Sequence, residues 1–139
     1  MKLLDFGTAK FLDNVPRNRT YSLIGTAHYL PPEVFSGKGY TFTADLWALG
    51  ITVYEFFCGQ FPYGEDLENP YEIYVEITKT KEIEFPYFFK DKNAKDFICQ
   101  LLNKAPDGRL GGSYAALKAH KFFNNVDFVI PFTNLRKNY

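Results

Sequence analysis

Three stretches of this chain carry side chains of the kind that do chemistry: Asp5-Phe-Gly7, Gly25-Thr-Ala-His-Tyr-Leu-Pro-Pro-Glu33 and Arg109-Leu-Gly111. Asp5 offers carboxylate oxygens, which hard cations take as ligands; its plain alternative is an Asp in a surface turn. Glu55 is a rare charge on an apolar run, and an unpaired buried carboxylate is costly, so it needs a partner. Ser22 sits in a loop just after Arg17 and Arg19, which reads either as a basophilic modification site or as an ordinary exposed serine. Any one of these signals is weak, since a given tripeptide arises by chance roughly one or two times in a hundred in such a chain. In this order, around Asp45-x-Trp47-x-x-Gly50, coincidence is a poor account.

These residues need elements to hold them. Residues 45–58 are almost entirely apolar or aromatic, with Asp45, Thr52 and Glu55 the strongly polar exceptions. A helix that is apolar all round belongs in a protein interior. At about 21 Å it is too short for a bilayer core of roughly 30 Å. Thr43 is placed as its N-cap, and Gly59 with Pro62 as its stop. Upstream, residues 2–4 suggest a strand, residues 8–32 a long loop of the functional sort, and Glu33 to Phe35 a short helix ended by Ser36-Gly-Lys-Gly39. Downstream, Asn69-Pro-Tyr-Glu72 starts a helix that runs to about Lys79. Phe85-Pro-Tyr-Phe-Phe89 reads as a packing wedge. Ala94, Phe97, Ile98, Leu101 and Leu102 mark an amphipathic helix ended by Pro106-Asp-Gly108, and Ser113 caps a last helix through Ala119. The expectation is one mostly α domain.

Composition narrows the function. With 139 residues, 46% of them hydrophobic and 19% aromatic, the chain has material for one core. Sixteen basic and sixteen acidic residues leave no net charge, so nothing suggests a general nucleic-acid or membrane surface, since both need a basic excess. Cys58 and Cys99 fall in helical apolar runs and are expected buried and reduced. With no leader at the start, a cytoplasmic setting is expected.

In its motifs the chain resembles the C-terminal (large) lobe of a eukaryotic Ser/Thr protein kinase, truncated, from its Asp-Phe-Gly motif onward and with a long ordered activation loop. Arg109-Leu-Gly111 and His120-Lys-Phe-Phe123 are similar to the cyclic-nucleotide-dependent (AGC) group. Gly-Thr-Ala-His-Tyr and residues 61–74 are most similar to cGMP-dependent kinases of protists. The resemblance implies a partial kinase domain over residues 1–123 and the start of a C-terminal extension over 124–139. It implies that Asp5, with Phe6 and Gly7, holds Mg2+ on ATP, and that Ser22 is an activating phosphosite paired with Lys10. It places Thr26 at the catalytic centre, and Leu23, Ala27 and Leu30 around the residue after the target hydroxyl. His28 stands where a Glu would receive a substrate Arg, while Glu55 receives the Arg two residues before the target. Glu33 and Arg109 form a buried ion pair; Asp45, Trp47 and Gly50 are structural anchors.

Pro31 replaces the usual Ala before Pro-Glu, and Thr8 follows Asp-Phe-Gly where Phe is frequent. The larger departure is that no glycine-rich loop, strand lysine or His-Arg-Asp loop is present, so the chain alone is expected to be inactive. An apolar face left without its cover would make it poorly soluble or molten. Two readings follow. One is a portion of a kinase that phosphorylates basic-motif protein substrates; the other is a short non-catalytic protein that binds or regulates a partner.

Overall fold

A computed structural model describes residues 4–13, 18–110 and 113–128. The expected strand over residues 2–4 lies largely outside them. Among the described residues are five α-helices, in order α1 (Pro32–Phe35), α2 (Thr43–Cys58), α3 (Pro70–Lys79), α4 (Lys92–Leu101) and α5 (Tyr114–Ala119). Single 3-10 turns at Ala27–Tyr29, Pro106–Gly108 and Lys121–Phe123 link them. Among the described residues the only strand-like pairing is a bridge between Thr20 and Tyr40.

Local chemistry accounts for the helix ends. Asn69 accepts from Tyr71 N–H and Pro70 fixes the first turn of α3; Asp91 accepts from Asn93 and Ala94 N–H on α4. Ser113 accepts from Ala116 N–H on α5. Gly59 ends α2 with φ 74°, a conformation that costs a glycine little. The start of α2 differs from expectation. Thr43 is the first helical residue rather than the cap, and the Thr41 hydroxyl, 3.0 Å from the Thr43 hydroxyl, supplies the local polar contact instead.

α2 packs against α4, and the two share most of the core. Trp47, Ile51, Tyr54 and Cys58 meet Ile73 and Ile77 of α3 and Ala94, Ile98 and Leu102 of the α4 region. Leu46, Phe97, Leu101 and Leu110 form a second cluster beside the first. The buried positions of α2 are 43, 46, 47, 50, 51, 54 and 58, which is one stripe at helical spacing. This corrects the expectation of all-round burial: Phe56 is 76% exposed. Composition shows that a second face is apolar, but not whether this chain covers it. Cys99 also departs from expectation, being exposed because it turns away from the Ile98 stripe while Cys58 stays buried. The aromatic loop is a wedge in part: Phe89 is buried and stacks on Phe57 at 4.9 Å, whereas Tyr87 and Phe88 are exposed.

Gly50 permits the close approach of α2 and α4. A Cβ there would stand 2.7 Å from Leu102 Cδ2 and 2.9 Å from Leu101 Cβ. Leu102 has some freedom, but Leu101 Cβ moves only with its backbone. Gly50→Ala therefore incurs about 1–3 kcal/mol of overpacking against about 1 kcal/mol of recovered helix propensity. A net loss of stability, read as a lower urea midpoint, is the expected result.

Candidate functional site

The Gly25–Glu33 stretch is fastened at its end. Arg109 is fully buried and grips Glu33 with two parallel bonds, Nη1 to Oε1 at 2.6 Å and Nη2 to Oε2 at 2.7 Å. The same guanidinium donates to Thr43 O at 3.0 Å and Asn103 O at 2.8 Å, and lies 5.0 Å over the Trp47 ring. One cation thus ties α1, the start of α2 and the loop after α4 together. A flat, five-donor fork suits this; a lysine could not make all these contacts.

Before Glu33 the chain makes a 3-10 turn whose first carbonyl, that of Thr26, accepts from Tyr29 N–H at 3.0 Å. Ala27 and Tyr29 pack on the core, Leu30 is half-buried, and Leu23 and Thr26 are exposed. Tyr29 donates its hydroxyl to Glu55 Oε2 at 2.7 Å. Glu55 is thereby a half-buried carboxylate with one oxygen satisfied from within; Oε1 has no hydrogen bond among the described residues. The bond to Glu55, partial burial and the negative charge of Glu55 push the Tyr29 hydroxyl up to about 12.

The sign of the linkage follows. The folded state holds the Tyr29 proton more tightly than the unfolded state, where tyrosine titrates near 10. Stability from this bond is full below about pH 10 and is lost as pH rises towards 12. In a chain carrying 13Cζ-labelled tyrosine, Glu55→Gln is expected to lower this residue's titration midpoint; an unmoved midpoint would contradict the contact.

His28 does not stand free to meet a ligand. Its Nε2 is 3.0 Å from Gly64 O, and its ring stacks on Phe61 at 4.2 Å. Ser22 is exposed, and its carbonyl accepts from the Tyr40 hydroxyl at 2.6 Å. Lys10 reaches Thr20 Oγ1 at 3.2 Å rather than Ser22, and Arg19 donates to Gly39 O at 2.9 Å. Arg17 lies outside the described residues. Asp5, Phe6 and Gly7 are exposed; Asp5 has φ 62° and its Oδ1 accepts from Gly7 N–H at 3.2 Å, an Asx-type turn. Asp45 is exposed by area, yet enough protein surrounds its carboxyl that desolvation raises its pKa. Its carboxylate makes no hydrogen bond among the described residues. Trp47 is fully buried with Nε1 unpartnered.

The structure therefore joins Glu33 to Arg109 and Trp47, and Glu55 to the turn carrying Ala27 and His28. It does not bring Asp5 or Lys10 to them. Sequence reasoning did not identify Tyr29 as the partner of Glu55, Phe61 and Gly64 as the partners of His28, or the Thr43 and Asn103 carbonyls on Arg109. A partner 26 residues away, or a backbone carbonyl, leaves no sequence signal.

The described residues do not by themselves compose a site for Mg2+ and ATP. Asp5 contributes one exposed carboxylate, and no group of three or more potential metal ligands gathers anywhere among them. Nor is any helix among them long and apolar enough to cross a membrane.

Comparison with known proteins supplies the family. The protein kinase domain family matches residues 1–123. A cGMP-dependent protein kinase of Eimeria tenella is 44% identical over 131 residues, 92% of this chain and 13% of that protein. That of Toxoplasma gondii shows the same identity and coverage, and that of Plasmodium berghei is 41% identical over 92% of this chain and 15% of its own length. The chain thus spans less than a sixth of these relatives. With its helical architecture and the match over most of its length, the chain belongs to the protein kinase domain family.

Proposed function

We propose that this chain is the large-lobe part of a serine/threonine kinase of the cGMP-dependent type, which in full length transfers a phosphoryl group from ATP to basic-motif protein substrates. The Glu55 site is the observation that supports this reading best. Its Oε2 is held by Tyr29, beside Ala27 and His28, while Oε1 is left for a cation such as a substrate arginine. Thr26, next to this turn, is assigned to the catalytic centre, and Leu23, Ala27 and Leu30 to the pocket for the residue after the target hydroxyl. Asp5, Phe6 and Gly7 are assigned to the nucleotide and its Mg2+, with Asp5 the metal ligand. Ser22 is assigned as the phosphosite, with Lys10 a neighbour of its segment.

Completion of the nucleotide site falls to protein outside these residues. The exposed Phe6, Phe11 and Phe56 give the apolar surface that such a lobe, or a kinase partner, would cover in a cytoplasmic setting. The same surface motivates the second reading, a non-catalytic protein that docks on a partner.

The test is kinetic. In the full-length kinase, Glu55→Gln is expected to raise KM for a peptide with Arg two residues before the target about 10–100-fold while kcat holds. The peptide lacking that Arg should be unaffected. An unchanged KM for both peptides would remove the substrate role and leave Glu55 a structural partner of Tyr29.

A further inference from the structure

A cleft of about 400 Å³ opens beside the Glu33–Arg109 pair, between residues 36–41, α3 and residues 104–107. Three cations from separate stretches line it: Arg19, Lys38 and Lys104. Two are held in place by neutral groups. Arg19 Nη1 donates to Gly39 O at 2.9 Å, and Lys104 Nζ donates to Thr78 O at 3.2 Å and to Thr80 O. The Lys38 ammonium makes no hydrogen bond or ion pair among the described residues.

Carbonyls fix a cation without cancelling its charge, and no carboxylate among the described residues pairs with any of the three. Of the two acids in the wall, Glu33 is already neutralised by Arg109, which leaves Asp107. Three positive charges thus face one negative charge across a cleft whose sides include the rings of Tyr40 and Tyr74. Donors remain: the whole Lys38 ammonium, the Nε and Nη2 edge of Arg19 and one N–H of Lys104.

A ligand that matches must bring more than one negative charge and several acceptor oxygens. A carboxylate brings a single charge; a phosphate monoester carries nearly two and three strong acceptor oxygens. We propose that this cleft binds a phosphate monoester, held by Arg19, Lys38 and Lys104. The site is separate from the residues assigned above to nucleotide and substrate, so it stands or falls without them.

The experiment follows backbone amide shifts of these 139 residues, isotope-labelled within the full-length kinase, during titration with inorganic phosphate and, separately, with a phosphoserine peptide and its unphosphorylated form. Saturable shifts confined to Arg19, residues 38–41 and residues 104–107 are expected. Lys38→Ala, which removes no contact of the fold, should weaken binding at least about tenfold, and Lys38→Arg should retain it. Tighter binding of the phosphopeptide than of phosphate identifies a modified protein segment as the source; equal binding identifies a small phosphate compound. Non-saturating shifts, shifts spread over the other surface lysines, or an unaffected Lys38→Ala variant would overturn the proposal.

Discussion

Glu33→Ala is expected to destabilise the chain by about 3–5 kcal/mol, because it strands a buried guanidinium whose charge-neutralising partner is gone. Arg109 is fully buried, and its bonds to Glu33, at 2.6 and 2.7 Å, are its only contacts with a charged group among the described residues. The Thr43 and Asn103 carbonyls remain after the substitution and hold the group in place, so it cannot swing out to water. Net stabilities of domains lie at about 5–15 kcal/mol, so the loss would consume roughly a fifth or more of the total. Urea denaturation of the full-length kinase, followed by hydrogen exchange in peptides from this lobe, reads it directly. The double substitution Glu33→Ala with Arg109→Met should recover part of the loss, since an apolar side chain of similar length needs no counter-charge. A double variant as unstable as the sum of the two singles would show that desolvated charge is not the main cost.

Trp47→Ala is the second large effect, at about 3–5 kcal/mol. The ring is fully buried, stacks on Tyr63 at 5.9 Å and lies under the Arg109 guanidinium. Its removal opens a cavity at the meeting point of α2, α4 and the Arg109 loop. Trp47→Phe should cost clearly less, because Nε1 has no partner to lose and most of the apolar contact stays. The Trp47 and Arg109 substitutions should be non-additive, since the two side chains touch. Thermal melts of the single and double variants measure both points, and an equal loss for Phe and Ala would rule out cavity formation as the cause.

The helices were largely legible because their signals are local. Asn69 and Pro70 mark the start of α3, the 94–97–98–101 pattern marks the buried face of α4, and Gly59 closes α2. The exposed side of α2 was not legible, because apolar residues read the same whether their cover is present or absent. The site was legible only where a family motif spoke for it. Glu33 and Arg109 are 76 residues apart, and neither spacing nor composition pairs them; the resemblance named the pair and the structure shows the contact. Where no motif speaks, contacts stayed hidden: the Tyr29 hydroxyl on Glu55, the Gly64 carbonyl on His28 and the cationic cleft are made by tertiary packing alone.

The mass of the endogenous protein tests most directly the proposal that this chain is a portion of a larger kinase. Immunoblotting, with mass spectrometry of peptides from residues 18–110, would identify the product that carries this sequence. A species far above 16.1 kDa, with further kinase-domain peptides in the same band, is the expected result. A single species near 16.1 kDa would contradict it and leave the partner-binding reading in its place.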